Sequence, residues 1–151
     1  MYNGLQAISS DENNQKITPN TNIFIHDGAR PCVTIEILEK CLETVKETRA
    51  CVVAVPVKDT IKIVDDNGYA VSTPDRNSLW QIQTPQVFSY EVIKNAYDNL
   101  MQLVIIKGIT DDAMVVEHYS NIKVKMVEGS YDNIKVTTQG DIEILKNYFQ
   151  K

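Results

Sequence analysis

The stretch Asn22-Ile-Phe-Ile-His-Asp-Gly-Ala-Arg-Pro31 joins a short apolar run to a polar loop. The run predicts a buried strand, and ligands of open α/β sheets bind beyond the carboxyl ends of such strands. The loop is therefore a candidate site. Asp27 can hold a divalent cation, Gly28 lets a ligand approach the backbone, and Arg30 can pair with a phosphate or with Asp27. The alternative is a tight turn with a structural Asp–Arg pair.

The residues after this loop predict an α/β fold. Thr34 can cap a helix, and residues 51–57 are apolar throughout, which suits a strand covered on both faces. Strand, helix and strand in this order favour a crossover within a parallel sheet. We therefore expect a single domain over residues 1–151 with a mostly parallel sheet. The predicted helix carries an apolar stripe of Ile35, Leu38, Leu42 and Val45.

Residues 59–75 are expected to form a projecting arm. Residues 60–64 and 69–72 alternate in polarity on either side of Asp-Asp-Asn-Gly, and Asn-Gly between such runs is a strong hairpin signal. The hairpin has few large apolar groups with which to build a core of its own. Because an isolated hairpin is marginally stable at best, the arm needs another surface.

The remaining segments predict four helices and one strand. Apolar residues at helical spacing favour helices near the N-terminus, after Ser89, from Thr110 to His118 and over residues 141–149. Residues 122–126 alternate like a strand, and the polar residues 9–22 are expected to form a loop. The helix after Ser89 has its apolar side chains at Val92, Ile93, Ala96, Tyr97 and Leu100.

Three further segments hold groups that can bind an anion. Arg76 can bind one bidentately or pair with Asp75, and residues 83–86 predict a rigid X-Pro turn. Thr110 stands at a predicted helix N-terminus, where free backbone N–H groups attract anions, although ordinary N-capping is the alternative. Lys135 offers a point charge for a phosphate, unless it simply reaches solvent.

The composition disfavours several classes of protein. The chain has 15 basic and 20 acidic residues, a net charge of −5, whereas affinity for nucleic acid comes from Lys and Arg. The longest apolar run, residues 51–57, is far too short to cross a membrane, and no signal peptide is evident. Three cysteines without CxxC spacing are expected to be reduced thiols in a cytoplasmic protein. We therefore expect neither nucleic acid nor a membrane as a partner.

In their order along the chain, these motifs resemble the 2-C-methyl-D-erythritol 4-phosphate cytidylyltransferase family. The resemblance covers about residues 1–150 and implies a Rossmann-like nucleotidyltransferase sheet. Members of the family join CTP to the sugar-alcohol phosphate methylerythritol phosphate in isoprenoid precursor synthesis. The reaction releases pyrophosphate, with Mg²⁺ present. The motifs are HDGARP, PVKDT, the hairpin, PDRNSLWQIQTPQ, ITDDA and EGSYDNIKVTT.

The resemblance also implies roles for particular residues. Asp27 would lie near the metal and both substrates, with Gly28 and Arg30 completing that wall of the site. Lys135 would bind and orient the reacting phosphate. Two threonines would line the sugar-phosphate site, Thr84 and Thr110.

A homodimer is a further implication of the resemblance. In the family the hairpin arm crosses to a second subunit. Thr60, near the start of residues 59–75, and Arg76, directly after them, would then serve the partner's site, where Arg76 would position the reacting phosphate.

The front of the chain departs from the family pattern. The family begins with a strand and a Gly-rich loop bearing Arg and Lys that cradle the CTP triphosphate, whereas residues 1–20 contain one basic residue, Lys16. We therefore expect an N-terminally truncated member that lacks the first strands. Such a chain should expose a sheet edge and the apolar faces of Ile23 and Ile25. We expect such a chain to be weakly stable and to show little or no cytidylyl transfer on its own.

Three rival interpretations remain open from the sequence. The first is a ribitol 5-phosphate cytidylyltransferase, which performs the same chemistry on another sugar-alcohol phosphate. The second is a non-catalytic fragment that keeps the arm and dimerises. The third is an unrelated α/β phosphate-binding domain.

Overall fold

The structure is a computed structural model that describes residues 1–10, 17–103 and 108–150. The helices are α1 (Tyr2–Ser10), α2 (Ile35–Thr48), α3 (Tyr90–Met101), α4 (Asp112–Tyr119) and α5 (Gln139–Phe149). The strands are β1 (Asn22–Ile25), β2 (Ala50–Pro56), β3 (Ile63–Val64), β4 (Ala70–Ser72), β5 (Trp80–Ser89) and β6 (Lys125–Glu128). Four of them form the main sheet in the order β1-β5-β2-β6, and β3 pairs with β4.

The main sheet is mixed, so the prediction of a mostly parallel sheet is corrected. Strand β5 lies between β1 and β2 and runs antiparallel to both, while β2 and β6 are parallel. The sequence predicts a rigid X-Pro turn over residues 83–86. They belong instead to β5, and Pro85 falls where the pairing with β2 is interrupted between Val52 and Ala54.

The sheet separates two apolar cores. One core lies against α3 and α4 and includes Leu5 of α1 together with Phe88 of β5. The predicted apolar face of α3 is confirmed, since all five of its residues are buried. The other core lies against α2, and β2 is buried along both faces as its sequence predicted. The three cysteines are free and buried.

Helix α2 presents a different face to the sheet from the one predicted. Thr34 caps the helix as expected, accepting from the Ile37 N–H. The buried residues, however, are Ile37, Cys41 and Val45. Of the predicted stripe only Val45 is buried, because apolar residues cover two sides of this helix and contact with the sheet selects one. The exposed members are Ile35, Leu38 and Leu42, at 71%, 37% and 37%.

The N-terminal segment packs against the body through α1. The predicted helix is present, and its Leu5 is fully buried. Ile23 and Ile25 were expected to be exposed but are partly buried against the α3 core, whereas Phe24 is exposed on the opposite face of β1. Residues 11–16 of the predicted loop lie outside the described residues.

The hairpin β3–β4 is confirmed, with Gly68 at a φ of 84° in its turn. Within residues 59–75 every side chain is exposed except the half-buried Pro74. Exposed apolar residues of the hairpin include Ile63, Val64, Tyr69 and Val71. Among the helices in the described part of the chain, none is long and apolar enough to cross a membrane.

Candidate functional site

A cleft of about 720 Å³ opens where β1 ends. One wall is the loop after β1, the floor comes from β5, and the N-terminus of α4 forms the opposite wall. Five of the eight predicted site residues line it: Asp27, Arg30, Thr84, Thr110 and Lys135. Gly28 belongs to the same loop, whereas Thr60, on the arm, and Arg76, directly after it, lie outside the cleft lining.

Three charged side chains meet at the centre of the site. Lys135 Nζ lies 3.0 Å from Asp27 Oδ2, and Arg30 Nε lies 3.5 Å from the same oxygen. The Asp27–Arg30 pair suggested by the sequence therefore forms, with Lys135 as a third member. Arg30 is largely buried, and its Nη1 donates to the carbonyl oxygen of Asn133 at 2.7 Å. The side chain of Lys135 is 48% exposed, so its ammonium remains accessible to a ligand.

The charge of Asp27 is stabilised by these neighbours. The hydrogen bond from Lys135 holds the pKa of the carboxyl below its usual range; partial burial opposes this, and the charges of Lys135 and Arg30 support it. Because a lowered pKa favours the ionised form, Asp27 is a carboxylate at neutral pH. The ion pair with Lys135 is lost only as the pH falls through that lowered pKa.

Thr84 connects β5 to the loop after β1. Its hydroxyl oxygen accepts the Asp27 backbone N–H at 3.1 Å and lies 3.0 Å from His26 Nδ1. His26 Nε2 is 3.0 Å from the Arg30 carbonyl oxygen, which can only accept. In the neutral ring, Nε2–H therefore donates to Arg30 and Nδ1 accepts from the Thr84 hydroxyl. The loop is thus fixed at both ends around Asp27.

The opposite wall is the N-terminus of α4. Asp111 caps the helix, with Oδ1 accepting the Met114 N–H at 2.9 Å, so the N-capping interpretation of this segment is observed. Gln86 of β5 donates to Asp111 Oδ2 at 2.9 Å and accepts the Ala113 N–H at 2.7 Å. Anion binding by the neighbouring Thr110 stays a prediction.

Buried amides that the sequence analysis did not single out hold the site together. Gln83 donates to the Ser130 carbonyl oxygen at 2.8 Å, and Asn133 Nδ2 donates to the Thr84 carbonyl oxygen at 2.9 Å. Gln86 fixes α4 as described above. The polar residues flanking Pro85 were the available signal, but they were interpreted as a turn rather than as a strand with satisfied amides.

Arg76 follows the arm and begins a short 3₁₀ helix, Arg76–Ser78. Asp75 caps that helix by accepting the Asn77 N–H, and Arg76 Nη1 donates to the Lys58 carbonyl oxygen at 2.8 Å. Arg76 thus braces the base of the arm within its own chain, and Thr60 lies on the exposed arm.

Substitution of Gly129 tests how closely the loop that carries Lys135 packs against β2 and β5. A Cβ at this position would lie 2.5 Å from Val53 Cγ1 and 2.6 Å from Gln83 Oε1. We expect Gly129→Ala to lower the free energy of unfolding by about 1–3 kcal/mol through overpacking. Urea denaturation measures this, with Gly4→Ala as the control because a Cβ there meets nothing within 4 Å. Equal stability of the two variants would contradict the close approach.

Asp27 is the residue that the sequence predicted to hold a magnesium ion at this site. Among residues 1–10, 17–103 and 108–150, no group of three or more His, Cys, Asp or Glu side chains could hold a metal. Mg²⁺ is commonly bound by one or two carboxylates together with substrate phosphates and water. Asp27, ionised and partly exposed, fits that pattern.

Comparisons with known proteins point to one family. A family model described as IspD, 2-C-methyl-D-erythritol 4-phosphate cytidylyltransferase, matches residues 1–151. A protein of that name from Lachnospira eligens is 57% identical over 130 residues, which cover 86% of this chain and 57% of the relative. The Alkaliphilus oremlandii protein of the same name is 46% identical over 150 residues, covering 97% of this chain and 59% of the relative.

Solved structures agree with the sequence matches. A 4-diphosphocytidyl-2C-methyl-D-erythritol synthase from Anaerococcus prevotii is 34% identical with a TM-score of 0.83. The match covers 99% of this chain and 62% of the Anaerococcus chain. A 2-C-methyl-D-erythritol 4-phosphate cytidylyltransferase from Francisella tularensis is 32% identical with a TM-score of 0.83. The match covers 96% of this chain and 64% of the Francisella chain. The chain thus spans less than two thirds of the length of these relatives.

Proposed function

Because the chain belongs to the 2-C-methyl-D-erythritol 4-phosphate cytidylyltransferase family, we propose that it supplies the sugar-phosphate side of a cytidylyl-transfer site. In the proposed reaction the phosphate of methylerythritol phosphate attacks the α-phosphorus of CTP. A phosphorus–oxygen bond forms to the incoming phosphate, and the bond to the departing pyrophosphate breaks. A cytoplasmic location is part of the same proposal.

The observation that carries this proposal is the cluster of Asp27, Arg30 and Lys135 on a cleft. Phosphoryl and nucleotidyl transfer depend on positioning and on charges that stabilise the transition state. Lys135, held 3.0 Å from Asp27 and half exposed, can hold an incoming phosphate in place. Arg30, with one nitrogen fixed on a backbone carbonyl, adds positive charge to the same wall.

Magnesium belongs to the proposal as a cofactor. Asp27 would hold the ion together with phosphate oxygens, and the ion would neutralise negative charge on the phosphates. Gly28 sits beside that carboxylate, where its small size leaves room for the nucleotide or the sugar phosphate.

We also propose that the arm joins two copies of the chain. Its apolar side chains are exposed, with Tyr69 at 74% and Val71 at 66%, and a group of exposed apolar side chains marks an interaction surface. A second subunit would cover them and would bring Thr60 and Arg76 to the partner's site. Arg76 would have to release its bond to the Lys58 carbonyl oxygen or use its remaining donors.

The test separates binding from turnover. Titration calorimetry of the purified chain with methylerythritol phosphate and with ribitol 5-phosphate, with and without CTP and Mg²⁺, measures recognition. Pyrophosphate release with the same pair measures transfer. Preference for methylerythritol phosphate supports the proposal, preference for ribitol 5-phosphate supports the related activity, and binding of neither overturns both. Binding without pyrophosphate release would mean that residues 1–151 recognise the sugar phosphate but do not transfer the cytidylyl group to it.

Substitution of Gly28 should affect ligand binding without affecting the stability of the fold. A Cβ at Gly28 meets nothing within 4 Å in the structure. We expect Gly28→Ala to leave the urea midpoint unchanged and to weaken binding of methylerythritol phosphate or of CTP by about tenfold, equivalent to about 1.4 kcal/mol. Unchanged affinity for both ligands would show that neither approaches this backbone closely.

A further inference from the structure

The segment that carries Lys135, residues 129–137, is hydrogen-bonded to the body of the protein at several points, among them Gln83 to the Ser130 carbonyl oxygen and the Tyr131 hydroxyl to the Pro56 carbonyl oxygen. Val136 N–H donates to the Ala29 carbonyl oxygen at 2.8 Å, and Gly129 N–H donates to Ala54 at 2.9 Å. Between these two points the buried side chain is Asn133, which has no exposed surface. A fully buried amide needs hydrogen-bond partners, so its contacts show what it holds together.

Asn133 bridges the segment to β5 at the residue that also fixes Asp27. Its Nδ2 donates to the Thr84 carbonyl oxygen at 2.9 Å and to Gln83 Oε1 at 3.3 Å. The hydroxyl of Thr84 accepts the Asp27 N–H. Since Asn133 Oδ1 has no partner in the described part of the chain, the side chain acts through Nδ2.

The backbone of Asn133 reaches the other cation of the site. Its carbonyl oxygen accepts from Arg30 Nη1 at 2.7 Å, and Arg30 in turn lies 3.5 Å from Asp27. Two residues further along, Lys135 Nζ reaches the same carboxylate at 3.0 Å. One buried residue therefore contacts Arg30 directly and lies two positions before Lys135.

We propose that Asn133 is the positioning residue that holds Arg30 and Lys135 on Asp27 and so sets the affinity of the site for a sugar-alcohol phosphate. The ligand part of this statement rests on the proposed function. The structural part does not rest on the proposed function, because the docking of residues 129–137 against the body of the protein can be measured without a ligand.

Hydrogen exchange of the Val136 amide reports on that docking, with the amides of β2 as the reference for global unfolding. Asn133→Ala should reduce the protection of Val136 about tenfold more than that of β2, and should weaken methylerythritol phosphate binding about tenfold. Val45→Ala is the matched control, because Val45 is buried in α2 away from the site. It should lower the protection of both regions together and leave affinity unchanged. If Asn133→Ala does not fold, Asn133→Ser, which keeps a hydrogen-bond donor, should show the same selective effect in weaker form.

The inference is overturned if Val136 and β2 lose protection in parallel in the Asn133 variants. It is also overturned if Val136 alone loses protection while affinity stays as in the wild type. If the wild-type chain binds no methylerythritol phosphate, the proposed function fails, and the ratio of Val136 to β2 protection still decides whether Asn133 docks the segment.

Discussion

Replacing Phe88 by alanine should lower the free energy of unfolding by about 3–5 kcal/mol, the usual range for removing a buried phenylalanine. Phe88 has no exposed surface and lies in the core between the sheet and α3. It pairs with Ile23 of β1 on one side and with Ala50 of β2 on the other. Its loss would leave a cavity in the core between the sheet and α3.

Chemical denaturation followed by circular dichroism measures this change. Phe149→Ala is the matched control, because Phe149 is 65% exposed and should change stability by less than about 0.5 kcal/mol. Similar small losses in both variants would mean that Phe88 is not buried in this core.

Replacing Lys135 by methionine should weaken binding of methylerythritol phosphate by about 10- to 100-fold. A hydrogen bond to a charged group contributes about 1.5–3 kcal/mol, and 1.4 kcal/mol corresponds to a factor of ten. Methionine keeps most of the length of the side chain and removes the ammonium. It also leaves Asp27 without the partner at 3.0 Å, so that Arg30, at 3.5 Å, would be left to offset the carboxylate that faces the incoming phosphate.

Titration calorimetry on the folded variant gives the affinity, and Lys123→Met controls for the loss of one positive charge from the whole protein. Lys123 is exposed and is not among the residues that line the cleft. An equal loss of affinity in both variants would indicate a general electrostatic effect. No loss in Lys135→Met would mean that Lys135 serves only to neutralise Asp27, and the assignment of the phosphate to this wall would be wrong.

The sequence located most of the site without showing how it is assembled. Asp27, Arg30, Thr84 and Lys135 were named from motifs, and the structure brings them to one cleft. The amides that hold them were not found, because a buried Asn or Gln looks like a surface residue in a sequence. Asn133 is a clear case: its burial depends on contact with Thr84, which is distant along the chain.

What the sequence determined by itself was the local structure and the family. The apolar run of β2, the Asn-Gly hairpin and the buried face of α3 follow from short-range patterns of side chains, and the ordered motifs pointed to the family that the comparisons show. Tertiary structure alone decided the direction of β5, the face of α2 that is buried and the meeting of Lys135 with Asp27. These features depend on contacts between residues far apart in the chain, where periodicity fits more than one arrangement and burial against a partner selects one.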